Sequence, residues 1–103
     1  MREGSGDETG ERDLRRQAEL GRLLAAAKGY RVFTREGEHV GSLDRIRYER
    51  HTDHPDEIVL RSRGVLGKRR RALPFDAVDE VRPQEKAVVL RSTRAEIERA
   101  PSA

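Results

Sequence analysis

Hydrophobic residues follow different spacings before and after Gly29. Before it, apolar side chains recur at steps of three and four residues, which place them on one face of a helix, while charged residues occupy the other face. The apolar face consists of Leu20, Leu23, Leu24 and Ala27. We therefore predict an amphipathic helix over residues 12–28. Residues 1–11 have little to bury, and we predict that they are disordered.

After Gly29, the chain is built from short runs of β-branched and aromatic residues, separated by glycine, proline and polar turns. Such runs predict five or six short strands. Gly37 lies in a predicted tight turn that favours positive φ. Leu43 and Ile46 are three residues apart, so a β-bulge at Asp44–Arg45 is needed to keep both on one face.

The predicted fold is mainly β: a small antiparallel β-barrel over residues 29–92, with an N-terminal α-helix and a short C-terminal helical tail over residues 93–103. Thr93 and Glu96 have the spacing of a capping box that would start the tail. A strand should stop at Pro74, which cannot donate a ladder hydrogen bond. The predicted core residues are Val32, Phe33, Leu43, Ile46, Tyr48, Ile58, Leu60, Leu73, Phe75, Val78, Val81, Val88 and Leu90.

Composition limits the chain to one small domain with a modest core. Its 103 residues are 34% hydrophobic and 40% charged, and 22 Lys and Arg residues against 19 Asp and Glu give a formal charge of +3. Cysteine is absent, so neither disulfides nor thiolate metal sites stabilise the fold. No secretory or membrane-spanning segment is visible in the sequence, and we predict a cytoplasmic protein.

The leucine face of the helix, which is formed by Leu20, Leu23, Leu24 and Ala27, allows two interpretations. Apolar helix faces usually pack within their own chain, so the helix can cover one side of the barrel. The alternative is that this face docks on a partner protein or on a second copy of the chain. We carry the second interpretation forward as the candidate partner-binding surface.

A basic run is the second candidate surface. Its members, with no acidic residue among or between them, are Arg61, Arg63, Lys68, Arg69, Arg70 and Arg71. Such a run can contact nucleic-acid phosphates or an acidic protein surface. It can equally be a charged edge strand that prevents edge-to-edge aggregation.

No catalytic, cofactor or metal constellation stands out. His51 and His54 lie near Asp53 and Asp56, but a polar loop beside a proline lacks the convergent ligands of a metal site. Neighbouring carboxylates such as Asp79 and Glu80 would need a pocket that shifts a pKa, and a small barrel fills its interior with side chains. We predict no enzyme activity, no cofactor and no metal.

Taken in order, the strand residues resemble the PRC-barrel superfamily. That group includes the cytoplasmic domain of the photosynthetic reaction-centre H subunit, the C-terminal domain of a ribosome maturation factor and many small stand-alone bacterial proteins. The residues that carry the resemblance are Gly29 to Val32, Glu36 to Glu38, Val40, Gly41, Leu43, Ile46, Tyr48, Leu73, Pro74, Val78 and Val88 to Leu90, followed by the tail from Ala95 to Pro101.

The resemblance implies a non-catalytic protein-interaction or assembly module of bacterial type, an adaptor that binds a protein partner or itself as a homodimer. The alternative is an RNA- or ribosome-associated module that uses the basic run from Lys68 to Arg71. A membrane-surface role is disfavoured because acidic residues dilute the basic ones of the helix, which also lacks aromatic anchors.

Overall fold

The computed structural model describes the backbone of residues 3–50, 54–63 and 68–103, and the side chains of these ranges from residue 14 onward. The elements in chain order are helix α1 (Glu3–Ala25), strands β1 (Arg31–Phe33), β2 (His39–Arg47), β3 (Glu57–Ser62) and β4 (Arg69–Pro74), a 3-10 turn (Phe75–Ala77), strands β5 (Val78–Arg82) and β6 (Ala87–Leu90), and helix α2 (Arg94–Glu98). The protein is therefore mainly β, with a helix at each end of the described chain.

The strands form one six-stranded mixed sheet in the order β4-β3-β2-β1-β6-β5. Four neighbouring pairs are antiparallel, whereas β1 and β6 are parallel. The prediction of a closed antiparallel barrel holds only in part, because the sheet is open and one of its five strand pairings is parallel. The last strand returns beside the first one, and β4 and β5 remain as two edges that do not pair with each other.

The two edges have other neighbours, which explains why the sheet does not close. Along β4, the Ala72 amide donates to the Pro101 carbonyl and the Ala103 amide donates to the Arg70 carbonyl, both at 3.0 Å. Along β5, α1 lies against the strand, and the Arg16 guanidinium donates to the Asp79 carbonyl at 2.8 Å. Backbone groups that closure would pair are thus partly satisfied by the tail and by the helix.

The core lies on the concave inner face of the sheet, between it and the helices. Ten of the thirteen predicted core residues are buried, and Ile46 packs partly buried against them. Phe33 is only half-buried, because it points to the opposite face, and Tyr48 is 48% exposed. Additional members of this core are Leu20, Leu24, Ala27, Val40, Ala77 and Ile97, whereas Val59, Ala72 and Ala87 are buried outside it.

Helix α1 differs from its prediction at both ends. It begins at Glu3 and ends at Ala25, whereas we predicted residues 12–28. Adding residues to an existing helix costs far less than starting one, so the helix-forming stretch before Ala25 can propagate toward the N-terminus. The structure thus places residues 3–11 in a helix rather than in the predicted disordered segment; Met1 and Arg2 lie outside the described residues.

Several local predictions are confirmed. The β2–β3 register shifts between Leu43 and Arg45, which is the predicted bulge. Gly37 has a φ of 88°, and Thr93 and Glu96 form the capping box of α2. Strand β4 ends at Pro74. After it, the 3-10 turn leads directly into β5.

Candidate functional site

The leucine face of α1 lies inside the molecule. Leu24 and Ala27 are 1% and 0% exposed, Leu20 is 8% exposed, and Leu23 packs partly buried against the same core. The prediction that this face binds a partner is therefore corrected. An open sheet of this size needs a cover for its aliphatic inner face, and the helix supplies it.

Polar contacts at the helix surface hold α1 against β5. The Arg16 guanidinium, which donates to the Asp79 carbonyl, also lies 3.7 Å from the Asp79 carboxylate. The same carboxylate lies 3.6 Å from Nε of Arg91. Leu14, two residues before Arg16 on the helix, is 60% exposed and lies outside the core. The packed part of the helix therefore begins after Leu14.

The basic run divides between two faces of the β3–β4 hairpin. The exposed members are Arg61, Arg63, Lys68, Arg69 and Arg70. Arg61 and Arg70 are directly opposite each other on the two strands. Both reach the carboxylate of Asp44, at 3.4 Å and 3.2 Å. Since Asp44 occupies the bulge of β2, the irregularity that the sequence predicted also supplies the acidic partner of the run.

Arg71 belongs to the structural part of the molecule. It is only 6% exposed, and its Nη1 donates to the carbonyls of Ile97 at 3.3 Å and Glu98 at 2.8 Å. A cation that donates to the last carbonyls of a helix also opposes the negative end of the helix dipole. Its prediction as a partner-contacting residue is corrected: Arg71 joins β4 to α2.

A concavity lies at the end of the hairpin. It measures about 360 Å³ and is lined by Ser42, Arg61, Ser62, Arg63 and Lys68. The Ser62 hydroxyl donates to the Arg69 carbonyl at 3.0 Å and ties the two strands together beneath the cations. Ser42 was outside the predicted run, because only the β2–β3 register brings it opposite Arg61. The arrangement presents three cations around one open space.

The loop that contains His54 has a structural role. His54 is 9% exposed, stacks on Phe75 with ring centroids 4.6 Å apart, and has Nδ1 at 3.0 Å from the Pro55 carbonyl. His51 and Asp53 lie outside the described residues. In the part of the chain that the structure describes, no group of three or more metal-ligating side chains converges.

The neighbouring carboxylates have structural or surface partners. Asp56 accepts hydrogen bonds from the amides of Glu49 and Arg50, at 2.5 Å and 2.7 Å, and so shapes the turn after β2. The Arg82 guanidinium donates to Glu80 at 2.7 Å, and this hydrogen bond lowers the pKa of Glu80 below its usual value. The same contact raises the pKa of Arg82. Both groups are exposed, so these shifts describe a surface ion pair.

Comparison with known families agrees with this architecture. The sequence profile of the PRC-barrel domain matches residues 24–97, which is most of the chain. The chain belongs to the PRC-barrel family. Residue 24 lies within α1 and residue 97 within α2, so the family match spans the whole sheet and the ends of both helices that pack on it.

A similar solved structure shares this PRC-barrel fold. It is a protein from Pseudomonas aeruginosa described as a putative 16S ribosomal RNA processing protein, RimM, with a TM-score of 0.53 and 20% sequence identity. The match covers 74% of this chain and 44% of that one, so this chain corresponds to less than half of that protein. At this identity the likeness concerns the fold. No curated protein sequence matches the chain.

The two helices were compared with the requirements of a membrane-spanning segment. Among the described residues, neither helix combines the length and the apolar composition that a membrane crossing requires.

Proposed function

We propose that this protein is a non-catalytic binding and assembly module of PRC-barrel type, whose partner contacts the basic end of the β3–β4 hairpin. The observation that carries the proposal is the separation of the two predicted surfaces. The leucine face is buried, whereas five cations of the basic run are exposed and three of them line a concavity. We place this activity in the cytoplasm, in keeping with a chain that contains no cysteine.

The first candidate partner is a protein with an acidic surface. Complementary charge speeds the encounter of two proteins and fixes their register more than it adds affinity. The exposed cations of the hairpin suit that role, and Asp44 orients two of them. A second copy of this chain is one such partner, since the carboxylates of Glu36 and Glu49 lie on exposed segments of the same molecule.

The second candidate partner is RNA or the ribosome. It is favoured by the three cations that line one concavity, and by the fold shared with a protein described as a putative 16S ribosomal RNA processing protein. Arginine and lysine contacts to phosphates supply sequence-independent affinity, and that affinity depends steeply on salt.

Binding to ribosomal RNA, measured by filter retention at low and high salt, separates the two candidates. An RNA-binding hairpin predicts binding at low salt that falls as salt rises, by about 0.7–0.9 logarithmic units per phosphate contact for each tenfold rise in salt. The variant Arg63→Gln with Lys68→Gln should weaken it. The matched control Arg22→Gln with Lys28→Gln removes two exposed charges elsewhere and should leave it unchanged.

Self-association is tested on the same proteins by sedimentation equilibrium. A dimer through the hairpin predicts a larger mass in the wild type and a monomer in Arg63→Gln with Lys68→Gln. If the wild type is monomeric and also fails to bind RNA at low salt, the hairpin has neither of these two roles. Capture of a partner whose binding ignores the hairpin variant would contradict the proposed surface.

A further inference from the structure

A row of arginines crosses the whole outer face of the sheet. Residues that are directly opposite on neighbouring strands point to the same face. The registers connect one such residue on each of the six strands, without interruption. From β5 to β4 the row reads Arg82, Ala87, Arg31, Ser42, Arg61 and Arg70.

The geometry of this arginine row suits a linear polyanion. Neighbouring strands are about 4.8 Å apart, so five steps make a row roughly 24 Å long. All four arginines are exposed, and the small side chains of Ala87 and Ser42 stand between them. A bulky residue at either of these two places would interrupt the row. The basic run of the sequence contributes only Arg61 and Arg70; the sheet adds Arg31 and Arg82.

The arginines are held along the face by weak contacts. Arg61 and Arg70 share Asp44, the Arg31 guanidinium donates to the Glu85 carbonyl at 3.3 Å, and the Arg82 guanidinium donates to the Glu80 carboxylate at 2.7 Å. Ion pairs between exposed side chains contribute about 0–1 kcal/mol, so an incoming phosphate can replace them at little cost. The contacts therefore order the guanidinium groups before a ligand arrives.

An apolar and aromatic row runs beside the arginine row. Phe33 follows Arg31 by two residues on the same face, and it lies opposite Val89 of β6 and His39 of β2. The Phe33 and His39 rings have centroids 5.3 Å apart, and the Arg31 guanidinium lies 5.5 Å from the Phe33 ring centre. Phe33 and Val89 line an open cavity of about 510 Å³ together with the basic residues Arg31, Arg35 and Arg82 and the acidic residues Glu36 and Glu85.

We infer that the outer face of the sheet is a binding track for single-stranded RNA. The phosphodiester backbone follows the arginine row, and a base stacks on Phe33 in the cavity beside it. Unpaired bases stack on aromatic side chains without regard to sequence, and a positive groove guides their backbone. An acidic protein segment would contact the arginines, but it has no bases that could stack on Phe33. The inference rests on the second candidate function above and extends it from the hairpin to all six strands.

The test uses the full chain and a fluorescent oligouridine of about 12 nucleotides, which lies within the usual site sizes of single-strand-binding sheets. Anisotropy titrations at several salt concentrations give the affinity and its salt slope. For four phosphate contacts we expect a slope near −2.8, since each contact on a single strand contributes about −0.7.

The decisive variant is Arg31→Gln with Arg82→Gln, which lies outside the basic run. The slope should become shallower by about 1.4, and the affinity at 0.1 M salt should fall about 25-fold. The control Arg22→Gln with Lys28→Gln removes equal charge from α1 and its end, and should change neither quantity. Phe33→Leu should weaken binding by about 5- to 150-fold at an unchanged slope, because it removes stacking only.

Three outcomes would overturn the inference. If Arg63→Gln with Lys68→Gln weakens binding while Arg31→Gln with Arg82→Gln does not, RNA binds the hairpin alone, and the proposed function survives without the track. Tight binding of polyglutamate, with no effect of Phe33→Leu on either ligand, would assign the face to an acidic protein. Absence of oligouridine binding at low salt would reject the track and weaken the RNA candidate with it.

Discussion

The inner and outer faces of the six-stranded sheet differ in what their arginines contact. On β4, Arg71 points inward, is 6% exposed and donates to two carbonyls of α2, whereas its neighbour Arg70 points outward and shares the Asp44 carboxylate with Arg61. The two residues are chemically identical and adjacent in sequence. Their roles differ because strand alternation places one in the core and the other in solvent.

This difference between the two faces should affect both the stability of the fold and the binding of a partner. A buried cation that has given up water must keep its hydrogen bonds, so replacing it destabilises the fold. An exposed cation gains little from its surface pair and is free to change partners. Changes on the inner face should therefore alter stability, and changes on the outer face should alter binding.

The largest effect is expected on the inner face at α1. Leu24→Ala should lower the free energy of unfolding by about 2–5 kcal/mol, because Leu24 is 1% exposed within the core. The matched control is Leu14→Ala on the same helix, which should change it by less than about 0.5 kcal/mol because Leu14 is exposed. Urea denaturation measures both. If both variants lower the free energy of unfolding by equally small amounts, the leucine face would again be the candidate partner-binding surface.

The adjacent residues Arg70 and Arg71 of β4 test the difference between the two faces directly. Arg71→Ala should lower the free energy of unfolding by about 1.5–3 kcal/mol, through the loss of charge-assisted hydrogen bonds to the end of α2. Arg70→Ala should cost less than about 1 kcal/mol, as expected for an exposed ion pair. Thermal unfolding followed by circular dichroism distinguishes them. A similar loss in both variants would mean that the two faces are not separated as described.

Substitutions on the outer face away from the hairpin should hardly change the free energy of unfolding. Arg31→Gln with Arg82→Gln removes two exposed side chains and should move the free energy of unfolding by less than about 1 kcal/mol. The same variant is predicted to weaken oligouridine binding. A loss of stability as large as that of Arg71→Ala would show that these arginines support the fold instead.

The smallest expected effect is on the pH dependence of thermal stability. Because Arg82 lowers the pKa of Glu80, this carboxylate stabilises the native state above its unfolded pKa and loses that contribution as the pH falls through its lower native value. Wild type and Glu80→Gln should have nearly the same melting temperature at pH 7. Any difference between them should shrink further below about pH 4.3. A difference that grows on acidification would contradict the assigned sign.

Much of the local structure could be predicted because it depends on neighbouring residues. The three-residue step from Leu43 to Ile46 predicted the bulge, and the Thr93 and Glu96 spacing predicted the capping box. The same signal was overlooked at Val78 and Val81, where a second bulge keeps both residues on the inner face of β5. A three-residue step of this kind also fits a helical turn, so the spacing alone does not distinguish a bulged strand from a turn.

The pairing of distant strands could not be predicted from spacing. The parallel contact of β1 with β6 joins segments more than 50 residues apart, and no local pattern specifies which neighbour a strand takes. The arginine row depends on all five pairings at once, so the sequence revealed only its two members within the basic run. Nothing in the sequence indicated the structural role of Arg71 either. Its carbonyl partners belong to α2, and only the folded chain places α2 next to β4.

The most direct test of the separation between the two faces is an NMR titration of the full chain with oligouridine, following the Nε–H signals of its arginines. We expect the signals of Arg31, Arg61, Arg70 and Arg82 to shift together, while the Arg71 signal stays in place. Shifts confined to the hairpin, or a shift of Arg71 as large as that of Arg70, would contradict this account.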